Sequence, residues 1–126
     1  MKTNLKRIGF AILSFIILIV FDQWTKYLAV EHLMNKEPFI IIDGVFQLRY
    51  LENRGAAFGM MQGQQTFFLI TGIIAVIVLA YVYFKLPWKK RFLPLRAVAM
   101  FIASGAVGNM IDRVVLGYVV DFFYFE

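Results

Sequence analysis

The architecture of this chain follows from two neighbouring runs, Gly108-Asn109-Met110-Ile111-Asp112-Arg113 and Val119-Val120-Asp121-Phe122. They place two carboxylates, an amide and a guanidinium at the end of an apolar segment. An ionisable side chain at membrane depth costs roughly 2.5–3.5 kcal/mol on insertion scales, so such residues mark functional sites. We therefore expect the chain to fold around this polar stretch.

The composition indicates a membrane protein. The chain has 126 residues, of which 61% are hydrophobic and 17% charged, whereas apolar residues make up about 45–50% of soluble domains. It has no cysteine and a single histidine, His32, which excludes thiol chemistry and most zinc sites. We expect carboxylate, amide, hydroxyl or cation chemistry, with no cofactor and no metal. The net charge of +5 comes from Lys and Arg residues, whose distribution sets the orientation of a membrane protein. We expect membrane lipids rather than nucleic acid as partners.

Three apolar segments are long enough to cross a membrane as helices, at residues 8–30, 67–84 and 97–113. The first could be a cleaved signal peptide, but it has no small-residue cleavage site and continues through Asp22-Gln23-Trp24-Thr25-Lys26. We therefore predict an all-α polytopic membrane protein in which all three helices are retained.

Basic residues cluster before the first helix, in Met1–Arg7, and between the other two, in Lys85–Arg96. The positive-inside rule places both clusters in the cytoplasm. The third helix then runs outward, and Gly105, Ala106 and Gly108 offer it a small-residue face for tight helix packing.

Residues 31–65 are predicted to form a small extracytoplasmic cap that contains β-structure. Asp43-Gly44 is a turn signal, and Val45–Tyr50 alternates as a strand does. The small residues of Asn53–Gly59 allow a ligand or another segment to approach the backbone closely, although a plain turn is an equally good interpretation. We expect residues 1–126 to form a single membrane domain with this cap.

Two of the buried carboxylates are predicted to lie at one level. Asp22 is 14 residues beyond Ile8 and Asp112 is 15 beyond Ala97, so both lie about 21–23 Å into an apolar core about 30 Å thick. Asp22 and Lys26 can pair because they are one helical turn apart.

The pairs alone admit a purely structural interpretation, in which Asp22 binds Lys26, and Asp112 or Asp121 binds Arg113. Three helix-terminal carboxylates with two nearby cations leave one acid for proton transfer, however. We choose Asp121, because its apolar neighbours should raise its pKa. A carboxylate enzyme, a small ion- or proton-translocating subunit and a structural assembly subunit all stay open at this point.

Four runs of the sequence resemble motifs of the lipoprotein signal peptidase (signal peptidase II) family, and they occur in the family's order. These bacterial inner-membrane aspartic endopeptidases remove signal peptides from lipid-modified prolipoproteins. Asp22-Gln23-Trp24-Thr25-Lys26 resembles D-Q-x-T-K, Asn53-Arg54-Gly55-Ala56-Ala57-Phe58 resembles N-x-G-x-A-F, the run at 108–113 resembles G-N-x-x-D-R, and the run at 119–122 resembles V-V-D-F.

The resemblance implies that Asp121 is a catalytic aspartate, which polarises a water for attack on the carbonyl before a diacylglyceryl-modified cysteine. It implies a lipid-modified prolipoprotein as substrate and a location in the bacterial inner membrane, with the N-terminus cytoplasmic and the active site near the outer leaflet. The remaining site residues it implies are, for substrate binding, Asn53, Gly55, Asn109 and Arg113, and, for support of the site, Asp22, Lys26, Gly108 and Asp112.

The family also has a fourth spanning helix, opened by an F-N-x-A-D motif that carries the second catalytic aspartate. The 126 residues do not include this motif. We therefore expect the chain to be a truncated form that is inactive alone, and we expect the motif to follow Glu126 in the coding sequence if the chain is a fragment.

Overall fold

The computed structural model describes residues 2–54 and 64–126. Within these residues, three long helices and three short strands follow one another, with one 3₁₀ turn at Lys90–Phe92. They are α1 (Lys2–Leu33), β1 (Phe39–Ile42), β2 (Phe46–Asn53), α2 (Gln65–Lys85), α3 (Leu93–Val115) and β3 (Val119–Phe125).

The three helices confirm the predicted spans. Each is long and apolar enough to cross a membrane, and most of their large apolar side chains are exposed, as expected for a surface that faces lipid. They extend beyond the predicted bounds at both ends. At the start of α3, Pro94 lies in the first turn, where its missing N–H costs no hydrogen bond.

Helix α3 is the centre of the bundle, because α1 and α2 both pack against it rather than against each other. The residues it buries are mostly small, and they include Ala99, Ala103, Ser104 and Gly108. The predicted packing face is therefore correct at Gly108 but wrong at Gly105, where a Cβ atom would meet nothing within 4 Å. Small residues one turn apart allow helix backbones to approach closely.

The strands form one antiparallel sheet in the order β1-β2-β3. The hairpin of β1 and β2 turns at Gly44, which has φ +75°, and this confirms the strand and turn predicted for the cap. The third strand comes from beyond α3, outside the predicted cap segment 31–65. The sheet packs against α1 and α3, and the single-domain boundary stays a prediction.

Strand β3 was not predicted, and its presence corrects the placement of Asp121. This residue was expected at a helix end, but α3 ends at Val115, and Gly117 turns the chain with φ +84°. A residue with positive φ just past the last turn is a common helix stop. Asp121 therefore lies in the middle of a strand, opposite Leu51 of β2.

The pairing of β2 with β3 is irregular beside Asp121. Leu48 pairs with Phe123 and Leu51 with Asp121, so β2 has one more residue than β3 between these pairs. Such a bulge bends the strand and redirects side chains, and bulges are frequent beside active sites.

Candidate functional site

Lys26 is the centre of a buried charge cluster that joins α1 to α3. Its ammonium nitrogen lies 3.1 Å from an Asp22 carboxylate oxygen and 2.9 Å from an Asp112 carboxylate oxygen. It also donates a 2.9 Å hydrogen bond to the side-chain oxygen of Asn109. Lys26 is 8% exposed and Asp112 4%. One ammonium group reaches both carboxylates, as their predicted common level requires.

The ion pair of Asp112 differs from one of the two pairings considered in the structural interpretation. Arg113 was considered as its partner, but Asp112 forms its ion pair with Lys26 on another helix. The same Asp112 oxygen, Oδ2, accepts a 3.0 Å hydrogen bond from the backbone N–H of Val120. The carboxylate of Asp112 therefore fixes the start of β3 as well as the α1–α3 contact.

Gln23 is a site residue that the sequence interpretation missed. Its side-chain amide donates to Asp22 Oδ2 at 3.2 Å, to the Gly108 carbonyl oxygen at 3.1 Å and to Asp112 Oδ1 at 3.2 Å. It thus binds the same two carboxylates as Lys26. Its position three residues before Lys26 could have revealed this, because residues so spaced share one face of a helix.

Gly108 lets α1 and α3 approach closely. A Cβ atom at this position would overlap the Asp22 carboxylate and lie 2.6 Å from its Cγ atom, closer than any ordinary van der Waals contact. The supporting role predicted for Gly108 thus has a steric basis.

Asp121 lies half-buried beside this cluster rather than within it. Burial raises the pKa of its carboxyl group, and the charge of Asp112 adds to this, while a hydrogen bond with the Asn53 side chain and the charges of Lys26 and Arg113 act in the opposite direction. The shift is in the predicted direction. A carboxyl group whose pKa is raised by an apolar setting is suited to proton transfer near neutral pH.

Two of the other predicted substrate-binding residues, Asn53 and Arg113, interact with Asp121. Asn53 ends β2 and lies opposite Val119, two residues from Asp121. The Arg113 guanidinium stacks on the Phe68 ring of α2 at 4.8 Å, and Asn109 is bound through its oxygen to Lys26. Gly55 lies outside the described residues.

A second polar cluster borders Asn53 and was also missed. Tyr50 donates a 2.9 Å hydrogen bond to Glu52, whose other oxygen is 3.1 Å from the Arg54 guanidinium. Arg54 in turn stacks on Tyr118 at 4.8 Å. Burial, followed by its hydrogen bonds, raises the pKa of the Tyr50 hydroxyl well above its ordinary value. These side chains form a polar rim next to Asn53.

In the part of the chain that the structure describes, no three His, Asp or Glu side chains are grouped so that they could hold an ion. The chemistry available there is that of carboxylates, amides and cations. The fold and the charge cluster around Lys26 together define a multi-pass membrane protein with a buried polar site where its helices meet a small sheet.

Comparison with known proteins gives the family. Residues 14–126 match the model of the family described as signal peptidase (SPase) II, so the chain belongs to that family and is by family a protease. The lipoprotein signal peptidase of Caldanaerobacter subterraneus subsp. tengcongensis is 45% identical over 115 residues, which are 91% of this chain and 76% of the relative. The lipoprotein signal peptidase of Clostridioides difficile is 43% identical over 115 residues, which are also 91% of this chain and 76% of the relative.

A solved structure agrees with this assignment. A bacterial membrane enzyme determined by the in meso method at 2.3 Å is 36% identical to this chain and superposes with a TM-score of 0.74, covering 94% of this chain and 71% of the other. The family assignment does not favour an ion-translocating or a structural subunit.

Proposed function

We propose that this chain is an aspartic endopeptidase of the inner membrane, which removes signal peptides from lipid-modified prolipoproteins. The relatives are named lipoprotein signal peptidases. Three helices of this chain are long and apolar enough to cross a membrane. The observation that carries the aspartic mechanism is the division of work among three neighbouring carboxylates. Asp22 and Asp112 are held by Lys26, whereas Asp121 has a raised pKa at the edge of the cluster.

In this mechanism Asp121 is the general base. Its carboxylate accepts a proton from a water molecule as the water oxygen attacks the scissile carbonyl carbon. The proton then passes to the leaving amine when the C–N bond breaks. Aspartic proteases use two carboxylates that share one proton, and the family resemblance implies that the second comes from the helix that follows β3. Partial burial favours the shared-proton state, because it disfavours two adjacent negative charges.

The remaining site residues are proposed to hold either the substrate or the site. Asn53 and Arg113 lie next to Asp121 in space, and we assign them to the substrate backbone together with Asn109 and Gly55. Support of the site is assigned to a set that fixes α1, α3 and β3 to one another, namely Asp22, Gln23, Lys26, Gly108 and Asp112.

The location of the site near the outer leaflet is part of the same proposal. All eight acidic residues lie in α1 beyond Phe21, between α1 and the end of β2, or at and after the end of α3. Under the positive-inside rule that end is the outer one. A lipid-modified substrate would meet Asp121 there without leaving the membrane.

The test replaces Asp121 with asparagine in a protein that contains both carboxylates. Parent and Asp121→Asn sequences are joined at Glu126 to the C-terminal remainder of the Caldanaerobacter relative and expressed in a bacterium depleted of its own lipoprotein signal peptidase. Loss of a general base lowers a rate by about 10²–10⁴-fold, so we expect the prolipoprotein to accumulate uncleaved. Gel mobility of the prolipoprotein measures this.

The matched control is Asp43→Asn, which removes the same charge from an exposed position in the β1–β2 turn. This variant should process the prolipoprotein as the parent does, at equal protein levels in the membrane. Normal processing by Asp121→Asn would refute the assigned role. An altered ion flux with normal processing would support the translocating subunit instead.

A further inference from the structure

At the end of the molecule opposite the sheet, all the charged side chains are positive. Residues 2–7 and 85–96, which we call the basic end, contain eight of the 13 Lys and Arg residues, and residues 1–21 and 53–111 contain no Asp or Glu. Asp112 is 16 residues beyond Arg96 on α3, hence about 24 Å away at 1.5 Å per residue. These 126 residues therefore supply no carboxylate to the cations of the basic end.

Two of these cations share one tryptophan ring. The guanidinium carbon of Arg96 lies 4.1 Å from the centroid of Trp88 and that of Arg7 lies 4.8 Å from it. Arg96 is only 6% exposed, and it donates one 2.8 Å hydrogen bond, to the Pro87 carbonyl oxygen. A guanidinium has five N–H donors. Two neighbouring cations in a partly buried setting are stabilised most by an anion that binds between or beside them.

A cleft adjoins this stack. It has a volume of about 470 Å³ and is formed by the first turns of α1 and the end of α2, with Asn4, Arg7, Ile8, Phe84, Leu86 and Trp88 in its wall. Arg7 and Asn4 provide donors for an anion, and Arg96 holds the Trp88 ring in place from outside the wall. The cleft thus combines a positive charge with amide and indole donors.

An apolar groove of about 150 Å³ lies beside the cleft, nearer the middle of the bundle. Phe84 lines both. The groove exists because α1 and α2 do not pack on each other, and its floor on α3 is made of Ala99, Met100 and Ala103. An apolar cavity of this size accepts a benzene-sized piece of hydrocarbon.

We propose that the cleft binds the phosphate of an anionic phospholipid from the leaflet at the basic end, with part of one acyl chain of that lipid in the adjoining groove. The positive charge of the basic end favours an anionic phospholipid over a signal peptide as the ligand. The n-region of a signal peptide is basic, so the cations of the basic end repel it, whereas a phosphodiester is attracted. Arginine binds phosphate oxygens with paired, charge-assisted hydrogen bonds.

The test uses Trp88 as its own reporter. The chain has two tryptophans, so Trp24→Phe leaves only Trp88 fluorescent. The 126-residue chain is placed in phosphatidylcholine vesicles with increasing fractions of either brominated phosphatidylglycerol or brominated phosphatidylcholine, since bromine quenches tryptophan on contact. We expect half-maximal quenching at a several-fold lower fraction of the anionic lipid. Equal quenching by both lipids would overturn the proposal.

Variants locate the phosphate. Because a hydrogen bond to a charged group contributes about 1.5–3 kcal/mol, Arg7→Gln should weaken the preference for the anionic lipid by about tenfold or more. The control, Lys89→Gln, removes an equal charge from an exposed position of the same end and should change it less than about twofold. Equal effects of the two variants would show diffuse surface attraction and overturn the site.

Two further arms separate the lipid from free phosphate and test the groove. Inorganic phosphate should not displace brominated phosphatidylglycerol, and displacement would reveal a soluble anion as the ligand. Ala80→Phe fills the groove from an exposed position of its wall, so it should weaken quenching several-fold. Ala75→Phe, which lies outside the groove, should not. An unchanged preference in Ala80→Phe would exclude the acyl chain from the groove.

Discussion

Lys26 is the common partner of Asp112, which is buried, and Asp22, which is partly exposed, and it stabilises both carboxylates in an apolar setting. A buried charge is stable only when it is paired and its remaining donors or acceptors are bonded. Lys26 meets Asp22, Asp112 and Asn109 at once, while Gln23 binds both carboxylates. The ammonium group has three donors, and each has an oxygen partner here.

Removal of that ammonium group should be costly. In Lys26→Met, Asp22 and Asp112 remain close together without their cation, and breaking a buried pair in this way costs about 3–5 kcal/mol. We expect a large drop in the melting temperature of the detergent-solubilised protein. Adding Asp22→Asn and Asp112→Asn to Lys26→Met should restore part of it. A melting temperature that is unchanged in Lys26→Met would show that the cluster does not hold the helices.

The stability of the protein should depend on the ionisation of Asp121. Its pKa is raised in the folded protein, so its contribution to stability is complete below the ordinary aspartate pKa of about 3.9 and is lost as pH rises through the folded value. Asp121→Asn removes this dependence. The melting temperatures of parent and variant should therefore agree at acid pH, and the variant should melt higher at neutral pH. A parent that gains stability over the variant as pH rises would contradict the shift.

At the scale of secondary-structure elements, the site depends on three junctions. Helix α1 meets α3 at Gly108, α3 holds β3 through the bond from Val120 to Asp112, and β3 pairs with β2 beside a bulge. The carboxylate of Asp112 takes part in two of these junctions. A change that separates α1 from α3 should therefore also displace β3.

The close approach of α1 and α3 can be tested with two glycines of the same helix. Gly108→Ala forces Asp22 away from its partners, and overpacking of this kind costs about 1–3 kcal/mol. Gly105→Ala meets nothing within 4 Å, so it should leave stability unchanged or raise it by up to about 1 kcal/mol, because alanine favours helix. Thermal melting compares the two variants. Equal effects would show that the contact at Gly108 is not tight.

The elements that the sequence predicted are those whose signal is local. Apolar length marked the three spans, and alternation marked β2. Strand β3 was missed because Val119–Phe125 is almost uninterruptedly apolar, and periodicity does not separate a short apolar strand from a helix. The β-branched and aromatic residues of this run, together with Gly117 before it, were signals that could have been used.

The candidate site was predicted in its members but not in all of its bonds. The pair of Asp22 and Lys26 follows from their spacing on one helix. The bonds from Lys26 and Gln23 to Asp112 join residues more than 80 positions apart, and only the packing of α1 on α3 creates them. A single sequence contains no local pattern for such contacts.

At the scale of the whole molecule, positive and negative side chains are unevenly distributed along its length. The basic end carries eight cations and no acid, whereas the rest of the chain carries all eight acids and the other five cations. Since orientation follows the Lys and Arg of short loops, we expect the basic end in the cytoplasm and the sheet outside. This arrangement brings the Asp121 site to the outer interface and the proposed phospholipid site to the inner one.

The absence of cysteine makes this orientation easy to measure. Single cysteines are introduced at two exposed positions, as Asp43→Cys in the hairpin turn and Lys89→Cys at the basic end. A membrane-impermeant maleimide should label Asp43→Cys in intact spheroplasts and Lys89→Cys only after lysis. The reverse pattern would invert the proposed topology.

The central claim is that Asp112 supports the site whereas Asp121 performs the chemistry. The most direct measurement is the rate of prolipoprotein cleavage per folded molecule, for Asp121→Asn and Asp112→Asn in the protein joined to the C-terminal remainder of its relative. We predict that Asp121→Asn melts no lower than the parent at neutral pH but loses about 10²–10⁴-fold in rate, and that Asp112→Asn melts lower while its folded fraction still cleaves. Cleavage by Asp121→Asn at the parental rate per folded molecule would contradict the claim.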